Sequence, residues 1–301
     1  VSDVTTQPAD GESVIALTAT VKDAKGNLVP NENVVFTTTG AATLGDATVT
    51  KTVATDANGQ AKLNVTNITV ETVTVAAKSS SNASDTGGSV DLTFTTPPPA
   101  PMPSTTKLLV SGATFAIDQG FPKTGYPNAT FQIAVKGDAE NNTGYTWSDN
   151  SDWVSVNSTG TVTFNSEGTA DEVTITATPK AGGAVLEYTF QLEKWFKTSS
   201  LDSMTAVAVD SSCASLGNGY ATPPVASMTN AQAVGETGTR SASSGALWPE
   251  WGNSAPLHDG SWSSETDSNN ASRRLAVLQE NGGIVSNPAT NYGVPLCVRT
   301  L

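Results

Sequence analysis

Short runs in which apolar and polar residues alternate recur along the first two thirds of the chain. Ile15-Ala-Leu-Thr-Ala-Thr-Val21, Val34-Val-Phe-Thr-Thr38, Ala47–Val53, Leu63–Val65, Val73–Ala77 and Val90–Phe94 each read as a strand. A strand buried on one face shows this period of two. Between them lie Asp23-Ala-Lys-Gly-Asn-Leu-Val-Pro30 and Thr55-Asp-Ala-Asn-Gly-Gln-Ala61. Their Asn, Asp and Gly residues suit turns, and Asn-Gly suits positive φ. Short strands with regular turns predict a Greek-key β-sandwich over residues 1–96.

Residues 97–106 hold the densest prolines, in Pro97-Pro-Pro-Ala-Pro-Met-Pro103. Proline at this density favours an extended, semi-rigid spacer, so this stretch is read as a linker. Alternation resumes over residues 107–196. Phe131-Gln-Ile-Ala-Val135, Thr161-Val-Thr-Phe164, Val173-Thr-Ile-Thr-Ala-Thr178 and Leu186–Trp195 read as strands. Leu186, Tyr188, Phe190 and Leu192 share one face of the last. A second sandwich is expected here.

Over residues 197–301 the alternation weakens. Ser200–Leu216 has helix-compatible spacing, with Met204, Val207 and Cys213 or Leu216 near one face. Val225–Val234 is a second helix candidate. Arg274-Leu-Ala-Val-Leu-Gln279 and Val294-Pro-Leu-Cys-Val-Arg-Thr300 read as strands around the turn Glu280-Asn-Gly-Gly283. Helices followed by strands predict an α+β module.

Charge and composition narrow the function. The net charge is −13, and the adjacent basic pair is Arg273-Arg274. Nucleic-acid binding draws much of its affinity from neutralised phosphates, so nucleic acid is not an expected partner. An anionic membrane surface is unfavourable for the same reason. No apolar stretch approaches the roughly 18–20 residues that cross a bilayer. Val1 leads directly into domain-like sequence, as a piece of a longer exported protein would, so any anchor is expected outside it.

Two cysteines, Cys213 and Cys297, stand 84 positions apart. With a single histidine, His258, they cannot build a four-sulfur or Cys2His2 zinc site. They read as a disulfide, which places the chain in an oxidising compartment; two reduced buried thiols are the alternative. A Ser–His–Asp triad would have to use His258, and no Gly-x-Ser-x-Gly elbow occurs. The Asp- and Asn-rich loops lack EF-hand spacing. No enzyme activity, metal or cofactor is expected.

The first segment resembles the invasin/intimin immunoglobulin-like repeat, bacterial Ig-like group 1. Ala19-Thr-Val-Lys-Asp-Ala-Lys-Gly-Asn-Leu-Val-Pro30, Val35-Phe36 and Thr55-Asp-Ala-Asn-Gly-Gln-Ala61 stand in that family's order. Residues 107–196 are similar to group 2 Ig-like domains. Residues 197–301 resemble the C-type-lectin-like tip of the same family. That resemblance rests on Cys213, Leu247-Trp-Pro-Glu-Trp-Gly-Asn253, Trp262-Ser-Ser264, Leu278-Gln-Glu-Asn-Gly-Gly-Ile-Val285 and Leu296-Cys-Val-Arg299. The chain stops four residues after Cys297, as intimin and invasin chains do.

The resemblance implies a mainly β protein: two immunoglobulin-like β-sandwiches in tandem, then an α+β C-type-lectin-like domain. It implies an inverse-autotransporter adhesin on the bacterial outer membrane, acting as a monomeric fragment. The Ig-like domains would be a spacer stalk, and the tip would bind a host protein non-covalently. An integrin, an immunoglobulin, a bacterially delivered receptor or a mucin would each fit. The alternative is glycan binding. The superfamily's sugar-binding triplets Glu-Pro-Asn, Gln-Pro-Asp and Trp-Asn-Asp do not occur.

Trp248, Trp251, His258, Asp259, Asp267, Arg273 and Arg274 form the candidate receptor-binding set, because Trp and Arg are enriched in binding hot spots. Core filling competes with contact for the tryptophans and is the favoured reading for all three, for Trp262 most of all. The loop Ser254–Gly260 is the best candidate for an exposed contact surface.

Overall fold

A computed structural model describes residues 1–46, 49–82, 85–200 and 202–301. These fall into two compact units, residues 1–100 with 178–186, and residues 101–177 with 187–301. No helix among the described residues is long and apolar enough to cross a membrane.

The first unit contains β1 (Thr6–Pro8), β2 (Ile15–Thr20), β3 (Asn33–Thr38), β4 (Thr43–Leu44), β5 (Thr50–Ala54), β6 (Gln60–Thr66), β7 (Glu71–Ser79) and β8 (Gly88–Thr95). One sheet runs β1-β8-β7-β3-β5 and the facing sheet β2-β6-β4. β1 joins β8 in parallel, and the remaining pairs are antiparallel. The alternation predicts the core correctly. Ile15, Leu17, Val34, Phe36, Val73, Val75, Leu92 and Phe94 are all buried between the sheets. The turns follow their side chains. Asp23 Oδ1 accepts from the N–H groups of Lys25 and Asn27, and Asp56 Oδ1 does so from Asn58 and Gln60. The strand expected over Ala47–Val53 begins at Thr50; Ala47 and Thr48 lie outside the described residues.

The next strands are β9 (Ala100–Pro101), β10 (Lys107–Val110), β11 (Ala113–Ala116), β12 (Thr124–Gly125), β13 (Thr130–Ala134), β14 (Tyr145–Asp149), β15 (Val154–Val156), β16 (Thr161–Phe164), β17 (Val173–Pro179), β18 (Leu186–Phe190) and β19 (Lys194–Thr198). The sheets β11-β10-β13-β16-β15 and β14-β17-β18-β9 build the second sandwich. The proline-rich stretch is therefore not all spacer. Met102, just after β9, donates its N–H to Glu187 O. A prolyl nitrogen lacks a hydrogen, so such a segment suits the sheet edge that β9 occupies. The single strand expected over Leu186–Trp195 is also two strands. It breaks at Gln191–Glu193, and β19 leaves the sandwich sheet for another.

That other sheet runs β12-β19-β23, where β23 is Leu296–Thr300. β12 pairs in parallel with β19, and β19 pairs antiparallel with β23, Lys194 opposite Thr300. Gly125 permits the first pairing, because a Cβ there would stand 2.8 Å from the Trp195 ring. The expected boundary at 196/197 thus falls inside β19, and the second sandwich and the terminal module share one sheet.

The rest of the terminal module comprises α1 (Ala206–Ser215), α2 (Val225–Met228), α3 (Leu247–Trp251), β20 (Ser261–Asp267), β21 (Asn270–Val277) and β22 (Ile284–Pro288). The last three strands form an antiparallel sheet. The helix expected over Ser200–Leu216 starts at Ala206, and Leu201 lies outside the described residues. Its buried face is Ala206, Val209 and Cys213, while Val207 is 69% exposed. Cys213 is bonded to Cys297 on β23, which turns that face inward. The helix expected over Val225–Val234 is a single turn ending at Met228.

Candidate functional site

The seven candidate contact residues divide into four environments. Trp248 and Trp251 are buried. Trp248 Nε1 donates to Gln279 O at 2.6 Å, and the Asn281-Gly282 turn lies on its ring. Gly282, at φ 62°, has its Cβ position only 2.5 Å from Trp248 Cδ2, so only glycine fits. Trp251 sits deeper. Its ring centroid lies 5.0 Å from Phe121, 5.3 Å from Tyr126 and 5.8 Å from Phe164, all in the second sandwich segment. These tryptophans are not on the surface. Trp262 is also buried, with Nε1 donating to Met204 O.

Arg273 and Arg274 are neighbours on β21 and face opposite ways, as strand residues must. Arg274 turns inward. Its Nη1 and Nη2 reach Asp210 of α1 at 2.5 and 2.6 Å, and Nε donates to Ser263 O. Burial pushes the Asp210 carboxyl up, but Arg274 and the Thr222 hydroxyl outweigh this and hold it below its ordinary range. Arg273 takes the other face, donating to Ser286 Oγ and Ser286 O. Ser286 Oγ in turn donates to Asp267 Oδ2. That bond, the Asn269 N–H and the nearby Arg273 charge lower the Asp267 carboxyl. Asp267 and Arg273 therefore belong to one polar cluster, and Arg274 to another.

His258 and Asp259 lie elsewhere, on the loop between α3 and β20. A cleft of 410 Å³ is lined there by Asn253, His258, Asp259, Leu278, Gln279 and Glu280. The loop is tied to the β21–β22 turn at both ends. Gln279 N–H donates to His258 O at 3.1 Å, and Gln279 Nε2 donates to Asn253 O and Ala255 O. His258 is in the left-handed region at φ 52°. Asp259 is exposed.

A third loop meets the first of these at Gly260. Gly293 exchanges two backbone hydrogen bonds with Met204, and a Cβ on it would stand 2.9 Å from Gly260 O. Its neighbour Tyr292 is 74% exposed, the most exposed aromatic ring among the described residues.

Two family models match the chain: the bacterial Ig-like domain, group 1, over residues 1–95, and invasin domain 4 over residues 106–190. Invasin of Yersinia enterocolitica is 30% identical over 201 residues, 65% of this chain and 23% of the relative. The inverse autotransporter adhesin YeeJ of Escherichia coli K12 is 31% identical over 134 residues, 44% of this chain and 5% of the relative. The chain belongs to the invasin/intimin family.

It spans under a quarter of the length of the curated relatives it matches. Its fold is that of the family's solved members. The crystal structure of invasin, titled a bacterial integrin-binding protein, covers 100% of the chain and 58% of itself at TM-score 0.62 and 23% identity. The 282-residue C-terminal fragment of intimin, solved in complex with the intimin-binding domain of the translocated intimin receptor, covers 99% and 98% at TM-score 0.50 and 20% identity. The relatives are adhesins and not enzymes.

Three residues of this adhesin-family chain carry weight that the sequence reading did not assign. Tyr292 gave no signal, being one aromatic in a polar loop. Arg240 donates to the carbonyls of Val110, Ser111, Pro249 and Glu250, and its guanidinium lies 5.5 Å from the Phe115 ring centroid. Burial lowers its pKa. Glu250 is fully buried within Leu247-Trp-Pro-Glu-Trp251. An acid in so apolar a run was the available clue.

Proposed function

We propose that this chain is the host-facing part of a bacterial outer-membrane adhesin, anchored by a segment other than these residues. In this reading residues 1–96 and 107–196 are Ig-like spacers joined through 97–106. Residues 197–301 are a C-type-lectin-like module that binds a host protein non-covalently. Support for the lectin-like assignment is the order of helices then strands, with the last strand, β23, disulfide-bonded back to α1.

One observation carries the binding reading. Loops 253–260 and 278–283 line one cleft that carries His258 and Asp259, and loop 291–293, with the exposed Tyr292, touches the first of them at Gly260. An aromatic ring beside hydrogen-bonding and charged groups suits a protein partner. The buried tryptophans hold this surface from beneath: Trp248 bonds Gln279 O, and the Gln279 N–H holds His258. That preorganisation lowers the ordering cost of binding.

The partner class follows the family. Invasin is described as integrin-binding, and intimin is solved with the translocated intimin receptor. The test is surface capture of the intact chain against integrin ectodomains, immunoglobulin, mucin and host-cell surface proteins, each with calcium or with a chelator. Saturable protein binding that Asp259→Ala weakens supports the reading. Binding only to mucin glycans, lost on calcium removal, would show a lectin instead.

A further inference from the structure

Glu250 lies where the terminal module meets the second sandwich. Oε2 accepts three hydrogen bonds from the β12 region: from Thr124 Oγ1 at 2.7 Å, Thr124 N at 2.9 Å and Lys123 N at 3.2 Å. Oε1 accepts one, from Gly245 N at 3.1 Å. The side chain is wholly excluded from solvent and makes no ion pair among the described residues. The charged groups nearby make their closest contacts elsewhere, though Lys123 also feels the Glu250 charge. Lys123 Nζ pairs with Glu193 at 2.9 Å, Lys194 Nζ donates to Gly245 O, and Arg240 Nη2 donates to the Glu250 carbonyl. Tyr188 donates its hydroxyl to Phe121 O, and Tyr126 faces Arg240.

We propose that Glu250 is a proton-responsive latch between the two parts, tightest when its carboxyl is neutral and weakened as it ionises. A buried carboxylate without a counterion loses hydration that four donors replace only in part. The neutral acid avoids that loss. With the proton on Oε1, which has a single donor, Oε2 keeps all three bonds to Thr124 and Lys123. Burial raises the carboxyl to about 7 from 4.5, above the effect of its four donors. Because the folded value is the higher, the stabilisation is complete below about 4.5 and is lost as pH rises through about 7. The attachment of the terminal module is therefore firmer in mildly acidic surroundings than at pH 8.

Carbon-detected titration of the Glu250 carboxyl in the full chain tests this directly. A midpoint near 7 is expected; a midpoint at or below 4.5 overturns the latch. Amide exchange gives the second reading. Protection at Lys123, Thr124 and Gly245, corrected for intrinsic rates, should fall at least threefold from pH 5.5 to 8.5 while Phe36 and Val73 in the first unit hold. Loss spread evenly over the whole chain overturns it. Glu250→Gln, neutral at every pH, should abolish the local change. A Glu250→Gln chain that keeps the full wild-type response places the proton elsewhere and also sinks the proposal. If that variant fails to fold, the wild-type titration and exchange still decide.

Discussion

Trp251 Nε1 donates to Thr124 at both its carbonyl, 3.1 Å, and its hydroxyl, 3.0 Å, although 127 positions separate them. The indole is buried among Phe121, Tyr126 and Phe164, so the terminal module closes the end of the second sandwich core.

Replacing Trp251 should therefore cost stability in both parts at once. Trp251→Ala is expected to lose roughly 3–5 kcal/mol, and Trp251→Phe roughly 1–3 kcal/mol through the orphaned Thr124 groups. Urea unfolding of the full chain checks the order. Residues 197–301 expressed alone would lose β12 and expose Trp251, so they should lack a cooperative melt that residues 101–301 retain.

The Cys213–Cys297 disulfide closes 84 positions of chain and both sulfurs are buried. Opening it frees the unfolded state by roughly 4–5 kcal/mol in the chain-entropy model. The native protein should resist dithiothreitol until a denaturant opens it. The Cys213→Ala, Cys297→Ala pair should lower the urea midpoint of the second unit. An unchanged midpoint would mean the unfolded chain is not restrained by this bond.

Sequence legibility followed the range of the causes. Ile15, Leu17, Val34 and Phe36 were readable because one-sided burial imprints a local period of two. The terminal module was readable in outline from its cysteines and Trp-containing motifs. β12 was not, because Thr124–Gly125 is a strand only through contact with Lys194 and Trp195, some seventy positions on. Glu250 stood out only as an acid in an apolar run; its partners were unreadable for the same reason, since Lys123 and Thr124 lie far away in sequence. Among the candidate contact residues, adjacency misled. Arg273 and Arg274 look alike in sequence, yet the pleat sends one to Ser286 and the other to Asp210.

That inward arginine should be the less replaceable of the pair. Arg274 is held by Asp210 in a two-point fork, with Asp210 about half-exposed and so partly screened. Arg274→Lys keeps the charge but loses the fork, and about 1 kcal/mol is expected to go with it. Asp210 is held below 3.8 when folded. Its contribution is thus present above pH 3.8 and lost as pH falls through the folded value. Melts of wild type and Arg274→Lys should converge as pH falls through the folded value, once the carboxyl is protonated in both.

The contact surface makes the sharpest demand on the functional reading. Tyr292 and Asp259 are exposed, and among the described residues no hydrogen bond or ion pair of their side chains ties them into the fold, so truncating either should leave the melting temperature within about 1 °C. If they touch the host partner, each should weaken binding about tenfold or more, since hot-spot truncations exceed roughly 1–2 kcal/mol. His258→Gly adds a third arm. Glycine relieves the left-handed backbone at φ 52° while deleting the imidazole, so the fold should hold or gain slightly as affinity falls. Lys62→Ala, exposed on the first unit, is the control. Equal binding by Tyr292→Ala, Asp259→Ala and Lys62→Ala would move the partner off this surface. Trp248→Ala should differ from all of them, losing affinity and stability together, because its indole bonds Gln279 O beneath the loops.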